Sequence, residues 1–373
     1  MNILVIGNGF DIAHNLKTQY IDFLDFVKAI DNSGDDNDYA SFISDIKNHT
    51  PALYSEIVEL KKDNVLLDYF LSIYEERGKK GKRGWIDFES EISDIVQKLD
   101  RAKIDVSRKI SGPNDSVQLD KALFQYLKPI IEKETNENGS YITSHQYQPR
   151  FFDYQADRVL DALNRLTRLL EIYLFEYIEK RDCILRLPDI IDLKIERVLS
   201  FNYTDIYRKY YDPDGRIKYC FVHGKTRNDS AGFCNLILGI DEYLPAERIN
   251  DDNQFVWFKK FYQRIYKETG SEYLDWASDF EGFNEVYKKA KPSHMDIYFY
   301  GHSLDVTDKD ILSRLIMMKN TTTHIFYHNR EAMAKQISNL VKIIGEDNLI
   351  RMTGGKDRSI VFIQSKPAID IQR

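Results

Sequence analysis

The sequence predicts an α/β fold in which a mostly parallel sheet, flanked by helices, is interrupted by a large helical insertion domain. Three observations lead there. The chain opens on a short apolar, β-branched run, Asn2–Ile6, that ends at Gly7-Asn8-Gly9, as a buried parallel strand does on entering a tight turn. From residue 188 onward, strand-like runs alternate with helical segments, the pattern of a parallel sheet. Between these regions apolar residues recur at helical spacing with few strand-like runs. At roughly 150 residues per domain the 373-residue chain has room for two domains. We expect a discontinuous α/β domain over 1–38 and 188–373, and a helical insertion domain over 39–187.

The first strand is followed by an amphipathic helix at Tyr20–Val27 and a polar linker or loop at Asp31–Asp38. Helical periodicity marks Tyr54–Glu76, Trp85–Leu99, Val117–Ile131 and Phe151–Ile178. A basic loop at 77–83, within Glu76–Gly84, separates the first two. Strands are expected at Arg197–Phe201, Lys218–Val222, Leu236–Ile240, Met295–Tyr300 and His324–Tyr327. Helices near Phe255–Lys267, Lys309–Met318 and Arg330–Ile344 intersperse them.

Composition excludes several classes. Hydrophobic residues make up 43% and charged residues 30%, which describes a folded globular chain. A net charge of −7 argues against a surface given over to nucleic acid. Cys183, Cys220 and Cys234 form no CxxC pair and cannot build a four-thiolate zinc site. His324 and His328 lie four apart with no third ligand nearby, so no metal is expected. Scattered cysteines, no signal-like N-terminus and no apolar run near 18 to 20 residues make a cytoplasmic protein, without a membrane partner, the expectation.

Ligands of open parallel sheets bind beyond the carboxyl ends of the strands. Four expected strands end in polar or glycine-rich segments: Gly7-Asn8-Gly9-Phe10-Asp11, Asn202-Tyr203-Thr204-Asp205, His223-Gly224 and Gly301-His302-Ser303-Leu304-Asp305. The first gives GxG, but Ile12 stands at the third glycine position of a GxGxxG fingerprint, and no acidic strand end follows about 20 residues later. That argues against a nicotinamide dehydrogenase. Gly-Lys-Lys-Gly-Lys-Arg-Gly at 78–84 lacks the spacing of a P-loop. Glycines that permit close backbone approach, with amides at a helix start, still suit a phosphate. A nucleotide site without hydride chemistry follows.

The run Ile3–Asp11, continued by Leu16-Lys17-Thr18-Gln19-Tyr20-Ile21-Asp22-Phe23-Leu24, resembles the AbiH-type phage abortive-infection family. Ser200-Phe201-Asn202-Tyr203-Thr204, Val222-His223-Gly224, Tyr300–Asp305 and Trp85-Ile86-Asp87-Phe88-Glu89 match further parts of its pattern in order. The same order is similar to sirtuin-like (Rossmann-type) domains, which arrange a glycine turn, an Asn, a catalytic His and a Gly-x-Ser turn around NAD. The resemblance implies Asn202 and His223 as the catalytic pair. It implies that Gly7, Asn8, Gly9, Phe10, Asp11, Gly301, His302 and Ser303 hold the dinucleotide. Sirtuin deacylases carry a Cys₄ zinc module that this chain cannot form, which turns the expectation to the NAD-hydrolysing branch. Thr204 stands where that branch often has Asp.

Together these imply an antiphage effector that hydrolyses NAD to nicotinamide and ADP-ribose, with NAD as substrate and no prosthetic cofactor. A neutral His suits general-base work on water or a ribose hydroxyl. An Asn amide both donates and accepts, and Asp11 could favour positive charge at the ribose. A phage-derived trigger and a homo-oligomer are candidate partners. A binding module that senses NAD or ADP-ribose without turnover stays open, as does a nucleic-acid-directed effector acting through the basic loop. Plain structural roles stay open too: a core histidine at 223, a turn at Asn202, and a tight strand–helix turn at Gly7 and Gly9.

Overall fold

The structure, a computed structural model, describes residues 1–31, 39–79, 86–109, 116–119, 140–143, 151–183, 185–227, 234–241, 254–287, 292–356 and 358–370. The chain forms two compact units. One comprises Met1–Gln19, Leu174–Leu236 and Lys267–Arg373, and the other Tyr20–Tyr173 with Ile237–Tyr266.

The first unit is built on six strands: β1 (Asn2–Ile6), β2 (Arg197–Ser200), β3 (Lys218–Phe221), β4 (Met295–Tyr300), β5 (Thr321–Tyr327) and β6 (Ile360–Gln364). Their order is β3-β2-β1-β4-β5-β6, and every pairing is parallel. The order reverses at β1, which pairs with β2 on one side and β4 on the other, with Ile6 opposite both Ser200 and Tyr300. A sheet covered by helices must bury both faces, and the strands read accordingly as apolar runs. Ile3 and Val5 point into one core with Leu199, Ile297, Phe299, Ile325 and the helices carrying Trp276, Leu312 and Leu340. Leu4 and Ile6 point into the opposite core with Phe10, Val198, Tyr207, Tyr300 and Phe326. The mostly parallel, helix-flanked sheet expected from the sequence is therefore present.

Two strand expectations need correction, and one strand is new. Leu236–Ile240 is buried and extended but joins none of the described strands. Its backbone is spent on the segment before the helix Lys260–Tyr266: Ile240 N–H donates to Phe258 O at 2.7 Å and Lys260 N–H to Ile240 O at 2.9 Å. β5 starts three residues earlier than His324, at Thr321. β6 is a strand the sequence reading did not predict.

The second unit is helical over Tyr20–Asp31, Ala40–His49, Pro51–Lys61, Val65–Lys79, Phe88–Lys109 and Phe151–Ile172. Its core is aromatic. The Phe88 ring stacks on Phe70 and on Tyr20, each at 4.2 Å, and Phe26 lies 5.1 Å from Tyr173. The periodicity at Tyr54–Glu76 spans two helices, broken at Lys62–Asn64, where Asp63 takes φ +52°. In the Trp85–Glu89 motif, Asp87 accepts from the backbone of Glu89 at 3.1 Å and Ser90 at 3.3 Å, Phe88 fills the core, and Trp85 lies outside the described residues. That motif is a helix start. Of the expected helix Val117–Ile131, the described part is the strand Ser116–Leu119, paired antiparallel with Ser140–Thr143; the rest lies outside the described residues. The linker at 32–38 and basic-loop positions 80–83 also lie outside them, while Arg77 and Lys79 end the helix Val65–Lys79.

The unit boundaries fall at 19/20 and 173/174, beside the expected 38/39 and 187/188. Helix Tyr20–Asp31 belongs with the helical unit because Phe23 and Phe26 pack on Phe88 and Tyr173. The segment Ile237–Tyr266, expected in the α/β domain, belongs there as well.

Candidate active site

The four polar strand ends lie on neighbouring strands, β3, β2, β1 and β4, at one edge of the sheet. At about 4.8 Å per strand, three gaps set a span of about 14 Å. Phe201 sits in the middle, its ring 5.2 Å from His223 and 4.3 Å from His302. The first, second and fourth ends are tied by backbone bonds that extend the ladder: Phe201 N–H donates to Ile6 O at 2.9 Å and Gly7 N–H to Tyr300 O at 3.1 Å.

The glycines at this edge bring two loops into backbone contact. Gly9 N–H donates to Gly301 O at 2.9 Å. A Cβ at Gly9 would stand 2.7 Å from Gly301 Cα, and one at Gly301, where φ is +66°, would stand 2.1 Å from Phe10 N. Gly7 likewise has no room beside His302 Cα. With Phe10 N–H donating to Gly7 O, three amides of the turn are engaged inside the protein. Asn8 is engaged too: its Nδ2 donates to Thr18 O and its Oδ1 accepts from Thr18 Oγ1 at 2.6 Å. Phe10 is core, fully buried among His14, Tyr207, Tyr211 and Tyr300.

Asp11 is 1% exposed, and its Oδ2 accepts a 2.6 Å bond from Thr204 Oγ1. Burial raises its carboxyl from 3.8 to about 7. Thr204 and the nearby Asn202 amide oppose that rise, and the charge of Glu179 adds to it. Glu179 is itself raised by burial, although its Oε1 accepts from Asp205 N–H and from Thr226 Oγ1. Asn202 is held through its backbone, which exchanges hydrogen bonds with Ser200 Oγ. Its side-chain Oδ1 and Nδ2, and Oδ1 of Asp11, are buried with no hydrogen-bond partner among the described residues. Such atoms cost on the order of 1–3 kcal/mol each when left unmade. A bound polar group would recover that cost.

His223 follows β3 and is buried, with Nε2 3.0 Å from Asp308 Oδ1. Asp308 precedes the helix Lys309–Ile316 at its N-cap, yet its carboxylate makes no capping bond and turns to the histidine instead. An acceptor carboxylate fixes the imidazole's orientation, as general bases require. His302 plays another part. Its Nδ1 accepts from Leu304 N–H at 2.9 Å, which places the ring proton on Nε2, and its carbonyl accepts from Gln336. Leu304, fully buried, holds φ +55°, a strained conformation at the site's turn. His302 is thus built into the site's wall, while Ser303 next to it is exposed.

The sequence reading missed four residues at or beside this edge: Asp308, Thr204 and Glu179 in these roles, and His14. His14 Nδ1 must donate to Phe10 O, which can only accept, so Nε2 accepts from Tyr211 Oη at 2.7 Å. Burial lowers this histidine from 6.5 to about 4, keeping it neutral. For Asp308 a signal existed, an acidic residue five positions after the Gly301-His302-Ser303 turn. The others depend on partners up to 197 positions away.

The family model for bacteriophage abortive infection AbiH matches residues 3–328. The chain belongs to that family. The match runs from β1 to just past β5 and takes in all four strand ends, so the expected AbiH-type resemblance is borne out and points to a role in phage abortive infection. No curated protein and no solved structure matches the chain. Among the described residues no group of three or more His, Cys, Asp or Glu is placed to hold a metal ion in this AbiH protein, and His324 Nε2 is bonded to Asp296 at 2.9 Å. No described helix is long and apolar enough to cross a membrane.

Proposed function

We propose that this AbiH protein is an abortive-infection effector that hydrolyses NAD to nicotinamide and ADP-ribose at the β3-β2-β1-β4 edge. The observation that carries the proposal is the company kept there. His223, oriented by Asp308, shares the edge with buried, unsatisfied polar atoms of Asn202 and Asp11. The strand order, with its reversal beside β1, is that of sheets that bind dinucleotides across the switch point. The sirtuin-like reading of the motifs agrees with both.

In the reaction a water oxygen bonds to ribose C1′ and the C1′–N bond breaks. The electron pair leaves with neutral nicotinamide, and the water's proton passes to His223 and then to solvent. The pyridinium is already a good leaving group, so no acid is needed on that side. Asn202 would orient water or a ribose hydroxyl. Asp11, poised near neutrality, would favour the cationic ribose in its ionised form. Gly7, Asn8, Gly9, Gly301, His302 and Ser303 would border the dinucleotide. A hydrolase of NAD active at all times would kill its host, so the enzyme would be held off until infection supplies a trigger.

The test is nicotinamide release by the wild type and by His223→Ala and Asn202→Ala, with the NAD-induced rise in Tm measured for each. Both variants should lose turnover at least 100-fold while NAD still stabilises them, and His302→Ala should chiefly weaken binding. Undiminished turnover in His223→Ala would remove the assigned base. Stabilisation by NAD in infected-cell preparations that never release nicotinamide would favour a nucleotide-binding module.

A further inference from the structure

The helix Lys260–Tyr266 is amphipathic in the inverse sense. It buries Lys260 and Gln263, at 4% and 5% exposure, and leaves Phe261, Ile265 and Tyr266 exposed by 48%, 75% and 60%, with Trp257 just before it at 43%. Its polar side is bonded in place. Lys260 Nζ lies 2.9 Å from Glu89 Oε2. The Gln263 side-chain amide accepts from Leu238 N–H and donates to Leu238 O and Trp257 O, each at 3.2 Å. Ile240 fixes the backbone on either side of Lys259. The apolar face is therefore held outward by specific bonds.

The outward side chains form a continuous ridge. Trp257 lies 4.7 Å from Tyr262, Tyr262 stacks on Tyr266 at 5.9 Å, and Phe261 and Ile265 extend the ridge one turn apart. Taking about 200 Å² for each large side chain, the ridge offers roughly 500 Å² of surface. A patch of that size is at the scale of the largest apolar patch of a monomer, which is often functional.

We propose that this ridge is an isologous contact between two copies of the chain. It is independent of the NAD reading. None of the five ridge residues carries a charge, so the surface meets its own copy without repulsion, whereas a nucleic acid or a charged protein surface would call for charges that the ridge lacks. The Tyr262 hydroxyl both donates and accepts, so it can bond its symmetry mate across a two-fold axis. An area of roughly 500 Å² matches the apolar centre of an interface of about 800 Å² per partner, with a polar rim making up the rest.

Sedimentation velocity on the full chain from 0.1 to 100 μM tests this, run on the wild type, Ile265→Asp and Tyr266→Asp. The wild type should form a dimer within that range. Either substitution should weaken the dimer at least 100-fold and leave the circular-dichroism melt in place, because both side chains are mostly exposed. A wild type that stays monomeric at 100 μM overturns the proposal. So does a dimer whose dissociation constant is unmoved by both substitutions in folded protein.

Discussion

Asp11 is the residue on which most of the site's electrostatics turns. Its folded-state value of about 7 lies above the 3.8 of an unperturbed aspartate, so the folded chain holds a proton that the unfolded chain has lost between those values. The stability tied to that proton is complete below pH 4 and declines as pH rises to about 7. His14 works in the opposite sense: lowered to about 4, it costs stability as pH falls from 6.5, when the unfolded histidine gains a proton and the buried one does not. Asp11→Asn separates the two. Relative to the wild type, the variant should gain about 2–3 kcal/mol more at pH 8 than at pH 5, at about 1.4 kcal/mol per pH unit over the two units below neutrality. Urea unfolding of both proteins at the two pH values checks this, and equal differences at both would mean that Asp11 ionises normally. Little of this chemistry was legible in the sequence. Asp11 was visible as a polar residue after a strand, but its partner Thr204 lies 193 positions away, and burial is what shifts it.

At the scale of elements, the glycine turns link strand order to site geometry. Gly301 has both a left-handed φ and a backbone atom where its Cβ would go, so Gly301→Ala forces the loops after β1 and β4 apart. Gly215 has nearly the same φ, +65°, with open space around it, so Gly215→Ala meets conformational strain alone, about 1–2 kcal/mol. Gly301→Ala should cost at least about 3 kcal/mol, and denaturant midpoints of the two variants compare them directly. The expected glycine turns were right as positions, and their contacts supply a reason the sequence did not: backbone against backbone. The strands were legible because buried parallel strands are apolar on both faces, as in Ile3-Leu4-Val5-Ile6. The same signal misled at Leu236–Ile240, since an apolar run reveals burial and not its hydrogen-bond partner. Ile360–Gln364 shows the reverse: an Ile-Val-Phe-Ile run after Gly354-Gly355 had the texture of a strand and went unread.

For the whole molecule, the two-part organisation was visible as a change in periodicity, but the path of the chain between the units was not. The segment Ile237–Tyr266 returns to the helical unit after the sheet has begun, and only packing records that. The proposed defence by this AbiH protein is the destruction of NAD at the switch-point edge. It is tested most directly by the NAD content of cells challenged with a phage against which the wild type protects. Cells carrying the wild type are compared with cells carrying Asn202→Ala at equal expression. NAD should hold steady before infection and then fall at least tenfold in wild-type cells, with neither collapse nor protection in the variant. Protection by the wild type with NAD unchanged would rule out NAD hydrolysis as the means of defence.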